Sequence, residues 1–199
     1  MRKLFYLLIL APFLIFNACK DAAVKEETKE WIYLFNGENL DGWDIKIAGY
    51  ELNDNVLNTF RVEDGMLRVS YDDYEEWNGE LGHIYYHEPF SHYRIVVEYR
   101  FNGEQVAGAP DWGLLNNGIM MHSQSAETVT LDQPLPISFE MQLLHSEGDL
   151  VRPNGNLYLP GTQVVLGGEI TEEDYFPSSS EPFFGEEWVR AEAVVLGDS

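Results

Sequence analysis

Glu140 and Gln142 stand two residues apart in the stretch ISFEMQLLH, Ile137 to His145, and His145 follows three residues later. A carboxylate can take or give a proton, an amide can grip a hydroxyl or an enolate oxygen, and an imidazole can do either. Strand side chains alternate between faces, so Ile137, Phe139, Met141 and Leu143 form one apolar row, and Ser138, Glu140 and Gln142 form the opposite one. The apolar row is expected in the core. The polar row either meets bulk water, where any polar residues would serve, or floors a cleft.

His122 ends a second apolar segment, Gly118 to His122, in which alternation sets Met120 and His122 opposite Ile119 and Met121. If both segments join one sheet, His122 and Glu140 face the same cleft. Further candidates are His83 in LGHIYYHEPF, Asn116 and Asn117 before Gly118, and Trp112 in PDWG, whose indole would suit a sugar-stacking wall. His87 and His92 read as structural or exposed. His83, His87 and His92 have spacings that would gather a metal on a helix, but their segment reads as strand and turn, so they do not converge. No metal is assigned and the cofactor is unknown.

The elements that must position these residues are short strands between turn signals, with hardly any helical period. Phe60–Val62 and Leu67–Val69 flank Glu63-Asp64-Gly65, a hairpin signal. From His92 to Phe101, Tyr93, Ile95, Val97, Tyr99 and Phe101 alternate with more polar positions. Strands are also expected near Gln163–Leu166 and over Trp188–Leu196, while residues 146–187 are rich in Gly, Pro, Ser and Asn. Many short antiparallel strands with long connections point to a sandwich or jelly roll.

Arg2 and Lys3 precede an apolar run from Leu4 to Phe16 that ends at Asn17-Ala18-Cys19, the pattern of a secretory signal over residues 1–18. The sole cysteine follows the expected cut, which resembles a bacterial lipobox with Cys19 acylated; an ordinary signal peptide beside a coincidental cysteine is the alternative. Residues 19–30 then form a charged tether without aromatic side chains. The expected localisation is export to the periplasm or outer-membrane surface, with the membrane reached through the lipid alone. The remaining residues, 31–199, suffice for one domain with its own core.

The chain carries 12 basic and 34 acidic residues, a net charge of −22. Loss of Arg2 and Lys3 with the leader takes this to about −24. Such a field repels phosphate backbones and excludes nucleic acid as a partner. Neutral ligands are unaffected, and the 14% aromatic content suits a sugar-contacting β-protein as well as one with a large aromatic core.

LFNGENLDGW (34–43), FRVEDGMLRV (60–69), LGHIYYHEPFSHYRIVVEYRF (81–101), NNGIMMHSQS (116–125) and ISFEMQLL (137–144), in that order, resemble the 3-keto-disaccharide hydrolase family, also described as 3-keto-glucoside lyase/hydratase and formerly DUF1080. The resemblance runs from about Trp31 onward. It implies an all-β, concanavalin A-like jelly roll of two stacked antiparallel sheets. Family members continue past GEEW…VVLGDS (185–199) with a hairpin and a final strand, so the last strands are expected to be missing here.

The resemblance also implies a carbohydrate ligand and a reaction. A glycoside oxidised to a ketone at carbon 3 has an acidified proton at carbon 2; a base removes it and the group on carbon 1 leaves. Glu140 or His122 would be that base. Gln142, Asn116, Trp112, His83 and His145 would bind the sugar. Related jelly-roll glucanases set two Glu residues along the corresponding strand, and only one acid remains here. That disfavours double displacement through a second carboxylate and suits proton abstraction or plain sugar binding. A non-catalytic carbohydrate-binding module on the same jelly roll is the alternative reading.

Overall fold

The computed structural model describes residues 31–197. The leader, Cys19 and the tether lie outside the described residues. Trp31 and Ile32 fall in a separate N-terminal unit, and every strand belongs to the unit that begins at Tyr33. Among the described residues no helix is long and apolar enough to cross a membrane.

The unit is all-β, built from the antiparallel ladders of a β-sandwich jelly roll, with only three single-turn 3₁₀ segments. In chain order the strands are β1 (Trp43–Ile47), β2 (Phe60–Glu63), β3 (Met66–Val69), β4 (Gly82–Tyr86), β5 (His92–Tyr99) and β6 (Asn116–Met121). There follow β7 (Phe139–Leu144), β8 (Leu157–Tyr158), β9 (Val165–Leu166), β10 (Glu169–Ile170), β11 (Tyr175–Phe176) and β12 (Val189–Leu196). β1 pairs with β4, β2 with β3, β5 with β12 and β9 with β10. β6, β7, β8 and β11 form the largest ladder, in the order β11-β8-β7-β6.

Local chemistry explains these elements. Asp64 and Gly65 both adopt left-handed backbone, at φ 52° and 75°, and close the β2–β3 hairpin in the two-residue turn that matches strand twist. Along β12, Val189 and Val195 are buried and Arg190, Glu192, Val194 and Leu196 exposed, so alternation holds over the whole strand. Its inward row meets Tyr99, Val97, Ile95 and Tyr93 of β5 in register, while the outward row is tied by Arg94 Nε to Glu192 Oε1 at 2.6 Å. Ile45, Ile47 and Phe60 form a core cluster with Leu40, Tyr50, Val56 and Ile84 packed around it.

The segment Ile137–Leu144 departs from its expected burial. Ile137 lies before β7 and is 48% exposed, and Phe139 and Met141 are half-buried. Leu143 and Leu144 are both buried. The apolar row is therefore enclosed only toward its C-terminal end, where β7 meets His145 and the Tyr99 end of β5.

Candidate functional site

The register of β6 with β7 assigns the faces. Gly118 lies opposite Gln142 and Met120 opposite Glu140, so these four share a face with Asn116 and Leu144. β8 continues the row with Tyr158 opposite Glu140, and β11 extends it with Tyr175 opposite Tyr158. Phe139, Met141 and Leu143 occupy the other face with Met121, Ile119 and Asn117. Among the described strand residues of this ladder, Glu140 is the sole carboxylate on its face.

Glu140 is 7% exposed, and no hydrogen-bond donor among the described residues is paired with its carboxylate. Taking a carboxylate out of water without a compensating cation or donor disfavours its charged form. Burial accordingly pushes Glu140 up to about 7. A carboxyl tuned to neutrality can hold or release a proton under physiological conditions, which is the property a general base requires.

The space for this side chain comes from Gly118. A methyl group at residue 118 would fall 2.5 Å from Glu140 Cγ and 2.8 Å from Cδ, so the carboxyl lies across a strand position that has no side chain. Beside it, Gln142 is held by its backbone, which donates to Asn156 O at 2.9 Å and accepts from Gly155 N at 2.8 Å. The fully buried Asn156 amide donates to Gln142 Oε1 at 3.3 Å. Gln142 Oε1 is thereby turned toward Asn156, which leaves the Gln142 NH₂ as the end available to donate.

Trp112 and Asn116 are brought together on the approach to β6. Asn116 Nδ2 donates to Trp112 O at 2.9 Å, and the indole is 55% exposed. Arg152 fastens this loop to the end of β7. Its Nε donates to His145 O at 3.0 Å and its terminal nitrogens donate to the carbonyls of Trp112, Leu114 and Leu115. Burial lowers the Arg152 pKa, and the nearby Tyr175 phenol acts against that shift.

The structure places three of the candidate histidines away from the Glu140 face. His122 was expected to face Glu140, but β6 ends at Met121 and His122 turns to a left-handed backbone at φ 49°. Alternation stops there, and the ring stands edge-on to Phe139 with centroids 5.4 Å apart, against a residue of the opposite face. His145 does not line a cleft. It is fully buried between Tyr99, Phe101 and Phe183, with Nδ1 at 2.9 Å from Gly185 O. His83 lies on β4 opposite Lys46, bonded to the Lys46 backbone and neutralised by burial, which lowers it to about 4. It belongs to another ladder and is not gathered with Glu140.

Glu140, Gln142 and Asn116 thus share one face, with Trp112 at its edge. Gly118, Arg152, Asn156, Tyr158 and Tyr175 were not anticipated. A glycine inside a strand does signal a close approach, so Gly118 was readable in NNGIMM. Arg152 and the two tyrosines sit in loops or two-residue strands that carry no periodicity. Among the described residues no three His, Cys, Asp or Glu side chains gather as a metal site.

No curated protein and no solved structure matches the chain. The sequence does match the 3-keto-alpha-glucoside-1,2-lyase-like domain over residues 30–199, which spans β1 to β12 and carries a carbohydrate-related function at the level of the family. The chain belongs to the 3-keto-alpha-glucoside-1,2-lyase-like domain family.

Proposed function

We propose that the protein cleaves glycosides oxidised to a ketone at carbon 3, with Glu140 as the base. The Glu140 carboxylate takes the carbon-2 proton, and the electron pair of that C–H bond passes into an enolate with the carbon-3 carbonyl. The enolate then expels the oxygen substituent from carbon 1, forming a carbon 1–carbon 2 double bond. A proton equivalent to the one removed ends on the leaving oxygen, and addition of water to the alkene makes the net outcome hydrolysis. Gln142, whose side-chain NH₂ can donate, and Asn116 are the nearest amides on that face to meet the enolate or ring hydroxyls.

The observation that carries this reading is a single buried carboxylate held near neutrality, with no second acid in its row. Paired carboxylates are what ordinary glycosidases need. Proton abstraction needs one.

The test is to incubate the protein with a 3-keto-glucoside and with the parent glucoside. Release from the keto form alone, abolished in a folded Glu140→Gln variant, is the expected result. Binding of either sugar without release would instead favour a carbohydrate-binding module. Cys19 is also proposed to carry a lipid anchor to an exported surface, on the sequence pattern alone. Fatty-acid labelling that disappears in Cys19→Ala tests it.

A further inference from the structure

We infer that Asn156 is a positioning residue that holds the Gln142 amide as a hydrogen-bond donor toward the Glu140 face, set for an oxygen that can only accept. This rests on the proposed elimination at Glu140, where such an oxygen is the carbon-3 ketone and the enolate it becomes. The Asn156 side chain is fully buried, and its whole hydrogen-bonding capacity is engaged. Oδ1 accepts from the Ser178 backbone N–H at 3.0 Å, and Nδ2 donates to Pro153 O at 3.1 Å and to Gln142 Oε1 at 3.3 Å. A backbone N–H only donates and a carbonyl only accepts, so those two main-chain groups leave one orientation for the Asn156 amide. Turning it over would set Nδ2 against the Ser178 N–H and Oδ1 against Pro153 O. The orientation passes to Gln142, which must offer its oxygen to Asn156 and keep its NH₂ for the face. Gln142 Nε2 has no partner among the described residues, and the residue is half-buried on the same strand face as Glu140.

The surrounding main chain keeps these partners in place. Gly155 adopts left-handed backbone at φ 75°, which glycine favours, and donates to Gln142 O at 2.8 Å, while Gln142 N donates to Asn156 O at 2.9 Å. Residues 142 and 156 are thereby held side by side before their amides meet. Across the loop, the hydroxyls of Ser178 and Ser180 both donate to Asn154 O, which pins the segment that supplies the Ser178 N–H. An unheld glutamine could turn its amide over and serve a donor or an acceptor alike. Here reversal would set two donors against each other at a buried site, so the amide is oriented before substrate arrives. Its bond then strengthens as negative charge gathers on the oxygen it meets. Asn156 therefore acts on kcat more than on KM.

The experiment is a double-mutant cycle read with a methyl 3-keto-glucoside. Gln142→Met should lower kcat by about 10²-fold, the size of one lost donor to a developing oxyanion. Asn156→Ala, which frees the Gln142 amide to turn, should lower kcat by at least about 10-fold with KM changed less. In the Gln142→Met background, Asn156→Ala should change kcat by no more than about twofold, because its route to the chemistry is already gone. Equal proportional losses in both backgrounds, or no loss in either, would overturn the assignment. A measurement on wild type covers the case in which Asn156→Ala does not fold. In isotope-labelled protein, nuclear magnetic resonance should show the Asn156 side-chain NH₂ exchanging slowly with water, and that of Gln142 exchanging rapidly until the keto sugar is added. The opposite pattern overturns the inference whatever the variants do. If no keto sugar is turned over, a Gln142 NH₂ signal that shifts and becomes protected on sugar binding keeps the positioning role while the elimination reading falls. An unmoved signal then removes both.

Discussion

The Glu140 carboxyl lies across Gly118, so closely that an added methyl would stand 2.5 Å from Cγ and 2.8 Å from Cδ and the Glu140 side chain would have to move. The two positions come from adjacent strands and are offset by two residues in register, since Gly118 faces Gln142 and Met120 faces Glu140. Gly118→Ala should therefore swing Glu140 off its position toward water. The expected outcome is a kcat on the keto substrate lowered by about 10-fold or more, with a stability cost of about 1–3 kcal/mol from the overpacked site. A pH–rate profile should show the apparent base pKa falling below that of wild type, because an exposed carboxylate ionises more readily. An unchanged profile would mean that Glu140 is not the titrating base.

Glu140 and His83 should oppose one another in the pH dependence of stability. The folded pKa of Glu140 is raised to about 7 from 4.5, so its contribution is complete below pH 4.5 and is lost as pH rises toward 7. That of His83 is lowered to about 4 from 6.5, so its contribution is complete above pH 6.5 and is lost as pH falls toward 4. Each shift corresponds to about 3 kcal/mol. Denaturant titrations should show Glu140→Gln gaining about that much relative to wild type between pH 4.5 and 7. His83→Gln should gain relative to wild type as pH is lowered from 6.5 to 4. Parallel curves for variant and wild type would refute either assignment.

The other two candidate histidines, His122 and His145, should separate activity from stability. His122→Ala should keep kcat/KM within about twofold, because its ring stands edge-on to Phe139 rather than facing Glu140. His145→Ala empties a fully buried site inside three aromatic rings and removes the bond to Gly185 O. It should cost about 2–5 kcal/mol by chemical denaturation, with activity retained in the fraction that folds. Loss of activity in folded His122→Ala would restore it to the site.

Arg152 should act on substrate binding through the Trp112 loop. Arg152→Met keeps the apolar stem and removes every bond from the guanidinium to the carbonyls of His145, Trp112, Leu114 and Leu115. The loop then loses its tie to β7, and KM should rise several-fold with kcat changed less. A fall in kcat at constant KM would place Arg152 in the chemistry instead. Arg152→Lys should rescue only partly, since an ammonium cannot span the same fork of carbonyls.

The alternating runs carried most of what could be read without coordinates. His92–Phe101 and Trp188–Leu196 predicted β5 and β12, and Asp64-Gly65 predicted the hairpin between β2 and β3, because period-2 burial and left-handed turn chemistry are properties of short segments. The same periodicity separated Glu140 from Phe139 and reduced the row to one acid. Its error at His122 has a definite cause. Alternation holds only while the backbone stays extended, and one left-handed residue after Met121 sends the ring to the other face.

Composition, order of motifs and alternation by themselves determined an all-β family member with a lone acid on a polar strand face. Tertiary structure decided what that acid experiences. The loss of water around Glu140, the bare position at Gly118, the Arg152 tie to the Trp112 loop and the alignment of Tyr158 and Tyr175 all arise between segments distant in sequence. Desolvation and register are properties of pairs of strands, and no single strand encodes them.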